Sequence, residues 1–379
     1  MVMQRGIDRM TSTPVTIGTR LVDGRDWKPG EPVYIDPATG KGITTHSMMK
    51  TFRRCPKQFE YKYIERLKPK VMGRPLRFGT WMHALMEAHY KGEDVEAVHK
   101  RFTHEFSKYF DEEKAELGDL PRDVWSTWLS YLWHYKNDPW IVHEVEFTLE
   151  VELPDGNVYR CRLDMLVENQ YGLWVVDHKN HKSLPKLDFR ILDAQSALYI
   201  WAALKNKIPV QGHIWNYLLS RPVHKPEVIQ SGARFSKTGL GSTDYPTLVR
   251  AIKKHGFNPS DYAPLLRRLK AQQYVPGVIQ TSNHFRRDIL EKTPALLKRV
   301  ANEGYQTHLR QNAYRWDKVN SIERVPDRSC DFMCSYDDLC TMELFGGQTA
   351  QLRKQRFYLA DPMDYYNDER PGDDDGRKN

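Results

Sequence analysis

Two carboxylates and a lysine stand close together in the middle of the chain: Asp164, and the triplet Asp177-His178-Lys179. Two convergent carboxylates suit a hard divalent cation, Mg2+ or Mn2+, which prefers oxygen ligands in near-octahedral geometry and keeps waters that can serve as nucleophile. The period of two along an extended segment puts Asp177 and Lys179 on one face, turns His178 to the other and leaves the His178 backbone carbonyl available as a further ligand. Lys179, beside the attacking water, can orient it and offset the negative charge that grows on a phosphate in the transition state. Upstream, His83 and Glu87 share one helical face, so His83 can complete the metal sphere while Glu87 supports it or binds a water. Downstream, Gln195 and Tyr199 repeat that spacing and can hold a polymer backbone or Lys179. The chemistry such a set serves is metal-assisted hydrolysis of a phosphodiester.

A second constellation is made of thiols. Cys330, Cys334 and Cys340 are one short of a tetrahedral thiolate set, and Cys55, far upstream, is the candidate fourth. Four thiolates fit either a [4Fe–4S] cluster or a structural Zn2+, and spacing alone does not separate them. Either would clip an N-terminal helix to the C-terminal segment. Cys161 alternates with apolar strand residues and reads as core.

The elements that must position these groups follow from periodicity. Residues 1–44, rich in Gly, Pro and Thr, read as an irregular arm. Helical spacing starts near Thr45 with a possible kink at Pro56, and recurs over Thr80 to Tyr90, Val95 to Phe110 and Val124 to Tyr135. The pattern then changes to strict alternation, with Val145, Phe147, Leu149 and Val151 apolar between glutamates and a threonine. Pro154-Asp155-Gly156 supplies a turn, and Tyr159, Cys161, Leu163, Met165 and Val167 alternate again, which makes a hairpin. A third strand covers Leu173 to His178, a helix about Phe189 to Leu204, and a fourth strand His213 to Leu219. Residues 221–285 read as a basic insertion, with ten Lys or Arg against three acids between Arg221 and Lys270. Residues 286–345 read as a long helix, from about Arg286 to Gln311, and the Cys-rich segment; residues 346–379 form an extension with an acidic tail.

Charge narrows the class of partner. The chain's +8 and the −4 of residues 361–379 leave +12 on residues 1–360, a body suited to a polyanion because each neutralised phosphate releases counterions. Lys237, Arg250, Lys253, Lys254, Arg267 and Arg268 are the candidate phosphate contacts, with Phe235 available to stack on unpaired bases. Apolar runs are too short to span a membrane, so the chain reads as an intracellular, cytoplasmic protein. No Gly-x4-Gly-Lys-Ser/Thr phosphate loop occurs, so a helicase would have to be a separate partner.

In this order and on these elements, Gly79-x3-His83-x3-Glu87, Asp164 after the hairpin, Asp177-His178-Lys179 and Gln195-x3-Tyr199 resemble the PD-(D/E)XK nuclease superfamily, in particular its RecB-like exonuclease branch. The resemblance covers roughly residues 45–220 and resumes at the Cys-rich end. It implies an α/β fold: a restriction-endonuclease-like core with a mixed central sheet flanked by helices, a helical N-terminal region and a C-terminal Cys-rich clip. It also implies Mg2+ or Mn2+ at His83, Asp164, Asp177 and the His178 carbonyl, with Lys179 as the catalytic lysine. Asp177 stands where many relatives carry Glu. The split cysteines resemble the iron–sulfur members, including AddB-type helicase-nucleases and the CRISPR-adaptation exonucleases, and that similarity favours iron; the first gap is three residues where many relatives have two. The insertion and the ending resemble phage-encoded relatives, which places a phage protein in the cytoplasm of its host. The expected function is a DNA exonuclease acting on free or single-stranded ends in replication, recombination or repair, with room for a helicase or recombination partner. The alternatives are a structure-specific endonuclease and a catalytically silent DNA-binding scaffold; retention of His83, Asp164, Asp177 and Lys179 together argues against the second.

Overall fold

The computed structural model describes residues 21–22, 25–26, 32–36, 38–185, 192–275, 282, 284–316 and 322–360. The acidic tail and most of the expected N-terminal arm lie outside them. Strand β1 (Ile43–Thr44) leads into α1 (His46–Arg54), whose N-terminus is capped by the Thr45 hydroxyl accepting from the Met48 N–H. At Pro56 the chain breaks rather than kinks: α1 stops at Cys55, and Pro56 opens a new short helix, α2 (Pro56–Phe59), at the position where a missing N–H costs nothing. A π-helical turn, Glu60–Ile64, and β2 (Leu67–Pro69) follow.

The helical region then comprises α3 (Arg74–Lys91), α4 (Val95–Ser107), a short α5 (Asp111–Leu117) and α6 (Leu120–His134). α3 starts a turn and a half earlier than its apolar spacing suggests, because Pro75 presets the first turn. Trp81 stacks on Phe102, and Trp128 on Tyr131, in a cluster that seals these helices over one face of the sheet.

The sheet has six strands. β3 (Ile141–Glu152) and β4 (Val158–Asn169) form the expected hairpin, turned at Gly156 with its φ of 83°. β5 (Gly172–His181) runs antiparallel to β4, then parallel to β6 (Val210–Leu219), the return being made by α7 (Ala194–Lys205). The sixth strand corrects the sequence reading: Phe285–Leu290 is β7, antiparallel to β6, and not the start of a long helix. Its charges disguise it. Arg287 is buried against Asp138 at 2.6 Å, with Tyr135 and Trp140 on its guanidinium at 3.7 and 3.5 Å, so a polar-looking residue faces inward.

The hairpin also departs from simple alternation. Phe147, Leu149, Val151, Cys161 and Leu163 pack with α7 on one face, whereas Val145, Met165 and Val167 pack on the other. In both strands the faces exchange at the rung of Glu146 and Asp164, where Glu146 has a φ of 53°. A left-handed residue in mid-strand locally reverses the pleat.

After the sheet core come α8 (Tyr245–His255) and α9 (Ala263–Lys270), packed around Phe235, Leu248, Ile252 and Leu269 in a small core of their own. α10 (Pro294–Ala313) covers the α7 face, and α11 (Cys330–Met333), α12 (Asp337–Leu344) and α13 (Ala350–Arg356) lead to β8 (Phe357–Leu359), which pairs with β2. No helix among the described residues is long and apolar enough to cross a membrane.

Candidate active site

The site sits where the sheet forks. β4 and β5 pair up to the rung Met165–Val176, and β5 then leaves β4 and continues along β6 as far as His181–Leu219. The next rung would join Asp164 to Asp177. Instead the strands part there, and the His178 backbone N–H donates to Asp164 Oδ2 at 2.6 Å. On the other side of β4, the register that pairs Val145 with Met165 and Phe147 with Leu163 sets Glu146 across from Asp164. Three adjacent strands thus present Glu146, Asp164 and Asp177 at one level.

These carboxylates share a cavity of about 370 Å3 with His83, Lys179, Gln195 and Tyr199. His83 reaches in from α3, its Nδ1 3.6 Å from Asp164 Oδ2. Asp177 is buried and held from two sides: Lys179 Nζ lies 2.5 Å from its Oδ2, and Gln195 Nε2 donates to its Oδ1 at 2.9 Å. Gln195 also donates to the Tyr199 hydroxyl at 3.0 Å, so the helical pair steadies the Asp177 carboxylate. Lys179 passes over Trp215 at 5.4 Å on its way to Asp177. The His178 side chain points to the opposite face as its spacing requires, against Asn216 at 2.8 Å and stacked on Tyr90, and burial holds its ring neutral.

Electrostatics mark the cavity as short of positive charge. Burial pushes the Asp177 carboxyl up to about 7; Lys179 pulls it back and Asp164 opposes that pull. Among the described residues, His83, Glu146 and Asp164 form the one group of three possible ligands whose donor atoms lie within 4.8 Å of one another. That is room for a single ion with one nitrogen and two carboxylate oxygens, and the donor set fits a hard divalent cation.

The structure therefore brings together His83, Asp164, Asp177, Lys179, Gln195 and Tyr199, but it groups Glu146, not Asp177, with His83 and Asp164. Glu146 escaped the sequence reading because it alternates with apolar neighbours like any solvent-facing strand residue. The signal was present in the turn, since counting back from Leu153 and Asn157 places Glu146 opposite Asp164. Arg162 holds its carboxylate at 2.8 Å. Glu87 lies one turn further along α3, paired with Lys91 at 2.6 Å, and does not line the cavity.

The other predicted residues sit elsewhere. Lys237, Arg250, Lys253, Lys254, Arg267 and Arg268 are all exposed on or near α8 and α9. Phe235 is not available for stacking: it is 2% exposed, packed edge-on to Phe257 in the small core beneath them. Cys161 is buried in the main core, which pushes its thiol up to about 12. Cys55, Cys330, Cys334 and Cys340 are half-buried where the N-terminal helices meet the C-terminal segment. Burial raises the Cys334 thiol, with Cys330 and Cys55 adding to that and Arg54 opposing it, while Arg324 hydrogen-bonds Cys340. Among the described residues, no three of these sulfurs lie within 4.8 Å of one another.

A sequence profile of the PD-(D/E)XK nuclease superfamily matches residues 44–341. No curated protein sequence matches the chain. Among solved structures, the protein SSO0001 aligns at 12% identity over 79% of this chain and 85% of its own, with a TM-score of 0.29. A protein from Eubacterium rectale, provisionally named an exonuclease, aligns at 11% identity over 77% of this chain and 92% of its own, with a TM-score of 0.35. At that overlap neither bears on what this chain does.

Proposed function

The chain belongs to the PD-(D/E)XK nuclease superfamily, and on that premise we propose that it is a RecB-like DNA exonuclease that hydrolyses phosphodiester bonds with Mg2+ or Mn2+. The observation that carries this reading is the level of Glu146, Asp164 and Asp177 at the sheet fork, with His83 and Lys179 in the same cavity. His83, Glu146 and Asp164 would hold the cation, and Asp177 and the His178 carbonyl would be its further ligands. A bound divalent ion supplies a water of lowered pKa and polarises the phosphate. Lys179, held beside Asp177, would orient the attacking water and offset the charge that grows on the phosphate. Gln195 and Tyr199 keep Asp177 in place. Exonuclease action on free ends fits a role in replication, recombination or repair.

Cys55, Cys330, Cys334 and Cys340 hold an iron–sulfur cluster in this reading. Four half-buried thiols at the meeting of the chain ends, with Arg54 near Cys334 and Arg324 hydrogen-bonded to Cys340, support a bound metal centre there, and the resemblance favours iron over a structural Zn2+. The role is structural, joining α1 to the C-terminal segment.

The test uses anaerobically purified protein on end-labelled linear and on closed circular DNA, with Mg2+, Mn2+ or chelator, beside Lys179→Ala. We expect metal-dependent loss of linear DNA only, abolished in the variant, with iron in the purified sample. Equal cutting of circles would make it an endonuclease. Wild type and variant equally inert while binding DNA would make it a scaffold.

A further inference from the structure

Arg160 and Arg162 stand two apart on β4 and so share a face of the strand. Both meet glutamates of β3, but in different ways. Arg160 takes the residue directly across the ladder: its Nη2 lies 2.6 Å from Glu150 Oε1, and it also reaches Asp36 at 2.9 Å. Arg162 stands opposite Thr148, yet its Nε lies 2.8 Å from Oε2 of Glu146, two residues further along β3 toward the fork. The settings differ as well, since the Glu150 side chain is 44% exposed and that of Glu146 only 9%. Glu146 lines the catalytic cavity, with a carboxylate oxygen within 4.8 Å of donor atoms of His83 and Asp164. Arg162 is not part of that wall, so its guanidinium touches the carboxylate from outside the cavity.

We propose that Arg162 is a positioning residue of the metal centre: it anchors Glu146 Oε2 and so presents the carboxylate to the ion shared with His83 and Asp164. The inference rests on the nuclease reading for the presence of that ion, and deepens it by naming what holds the third ligand. Each carboxylate of the cavity then has its own anchor. Asp164 accepts from the His178 backbone N–H, and Asp177 is held by Lys179 and Gln195. Glu146 needs one most. Its side chain has one more rotatable bond than an aspartate, it starts from a backbone φ of 53°, and among the described residues its strand pairs only with β4. A carboxylate fixed through one oxygen gives up less freedom when the other binds a cation, and contacts of this kind typically carry about ten- to a hundredfold in metal affinity. The charge of Arg162 acts the other way, because a guanidinium beside the site repels an incoming cation. A residue that merely neutralised Glu146 would weaken the site, and its removal would tighten binding. One that positions Glu146 makes its removal costly, so the sign of the change decides between the two.

The test is Mn2+ binding to the metal-free protein by calorimetry, with no DNA present. Arg162→Gln should bind Mn2+ about tenfold more weakly than wild type, or worse. Arg162→Met, which keeps the stem without the charge, must move in the same direction, and Arg162→Lys should recover most of the loss. Arg160→Gln, which removes the neighbouring ion pair on the same face, should bind as wild type. A double-mutant cycle separates positioning from a general effect on the fold: in Glu146→Gln protein, Arg162→Gln should add no further loss. Melting curves of every variant accompany the titrations. Unchanged or tighter binding in Arg162→Gln and Arg162→Met, an equal loss in Arg160→Gln, a loss that persists in full beside Glu146→Gln, or no binding by wild type would each overturn the proposal. A wild type that binds Mn2+, with the expected losses in the variants, yet cuts no DNA would instead sink the nuclease reading and leave the role of Arg162 standing. A wild type that cuts DNA with Mn2+ while the Arg162 variants bind the ion unchanged would do the reverse.

Discussion

The catalytic cavity and the junction of the two chain ends both gather carboxylates out of water, and they treat them in opposite ways. At the junction, Glu343 receives Lys57 at 2.8 Å, Arg353 at 2.6 Å, Arg324 at 3.2 Å and the Tyr61 hydroxyl at 2.8 Å. Lys57, 1% exposed, also meets Glu60 at 2.7 Å, and Arg353 bonds Glu65. Burial works to raise the Glu343 carboxyl, but Lys57, Tyr61 and Arg353 outweigh it and hold it below its usual range. In the cavity, Lys179 meets Asp177, and burial with Asp164 still leaves that carboxyl raised to about 7. Where the chain supplies the cations, the carboxylate fastens structure. Where it leaves them short, the carboxylate stays raised beside a second carboxylate, the arrangement the proposed cation would relieve.

Several substitutions sharpen or break this contrast. The largest effect should be on activity: Asp164→Asn keeps the shape of the fork but removes the charge facing His83, and should lower kcat by about a hundredfold to a thousandfold in a metal-dependent cleavage assay. A loss under tenfold would mean that the cavity's missing charge is incidental. Next comes Glu343→Ala, which removes the carboxylate shared by Lys57, Arg353 and Arg324 and leaves Lys57 to Glu60, and should cost about 3 kcal/mol by urea denaturation. An effect within 1 kcal/mol, roughly that of a surface pair, would show that the junction holds by apolar packing alone.

Asp177→Asn should do the opposite to stability. A carboxyl raised in the folded state is protonated there at pH values where the unfolded chain has lost its proton, so the fold pays an increasing penalty as pH climbs from about 4 to about 7. Metal-free Asp177→Asn should therefore be more stable than wild type by on the order of 1–3 kcal/mol at pH 8, with the gain gone by pH 4. Glu343 carries the reverse sign: its lowered pKa contributes stability that is complete above about 4.5 and is lost as pH falls through the folded value. Comparing acid melts of wild type and Glu343→Gln should show the difference between them shrinking below that pH. The smallest effect is local. Glu146→Gly should weaken Mn2+ binding by calorimetry while recovering up to about 1 kcal/mol of stability, because glycine adopts the φ of 53° without strain.

The elements whose sequence carries a single period were legible, even where the structure departs from that period at one rung. The hairpin of β3 and β4, the strand carrying Asp177 and Lys179, and the helix carrying Gln195 and Tyr199 all follow from alternation or from spacings of three and four. What escaped were residues whose polarity contradicts their place. Arg287 hides a strand because its charge is sandwiched by Tyr135 and Trp140. Glu146 hides a metal ligand candidate because the pleat reverses at its own rung, which no hydrophobicity pattern records. Phe235 read as a surface platform because the small core that buries it is assembled from segments up to Leu269. Tertiary contact, not local preference, decides each of these.

The pairing of β2 with β8 sets a timetable for synthesis. Tyr61 must wait for Glu343, a partner 282 residues later in the chain, and β2 waits longer still for β8. Contacts so distant close late, since the intervening loop must be ordered before they repay its entropy. On the ribosome, the sheet fork is translated well before Ser335 and Tyr336 emerge to finish the wall they share with β2 and the start of α3. A nascent chain would thus hold the residues of the sheet fork before the wall beside it, and it would complete that wall only once the final segments leave the exit tunnel.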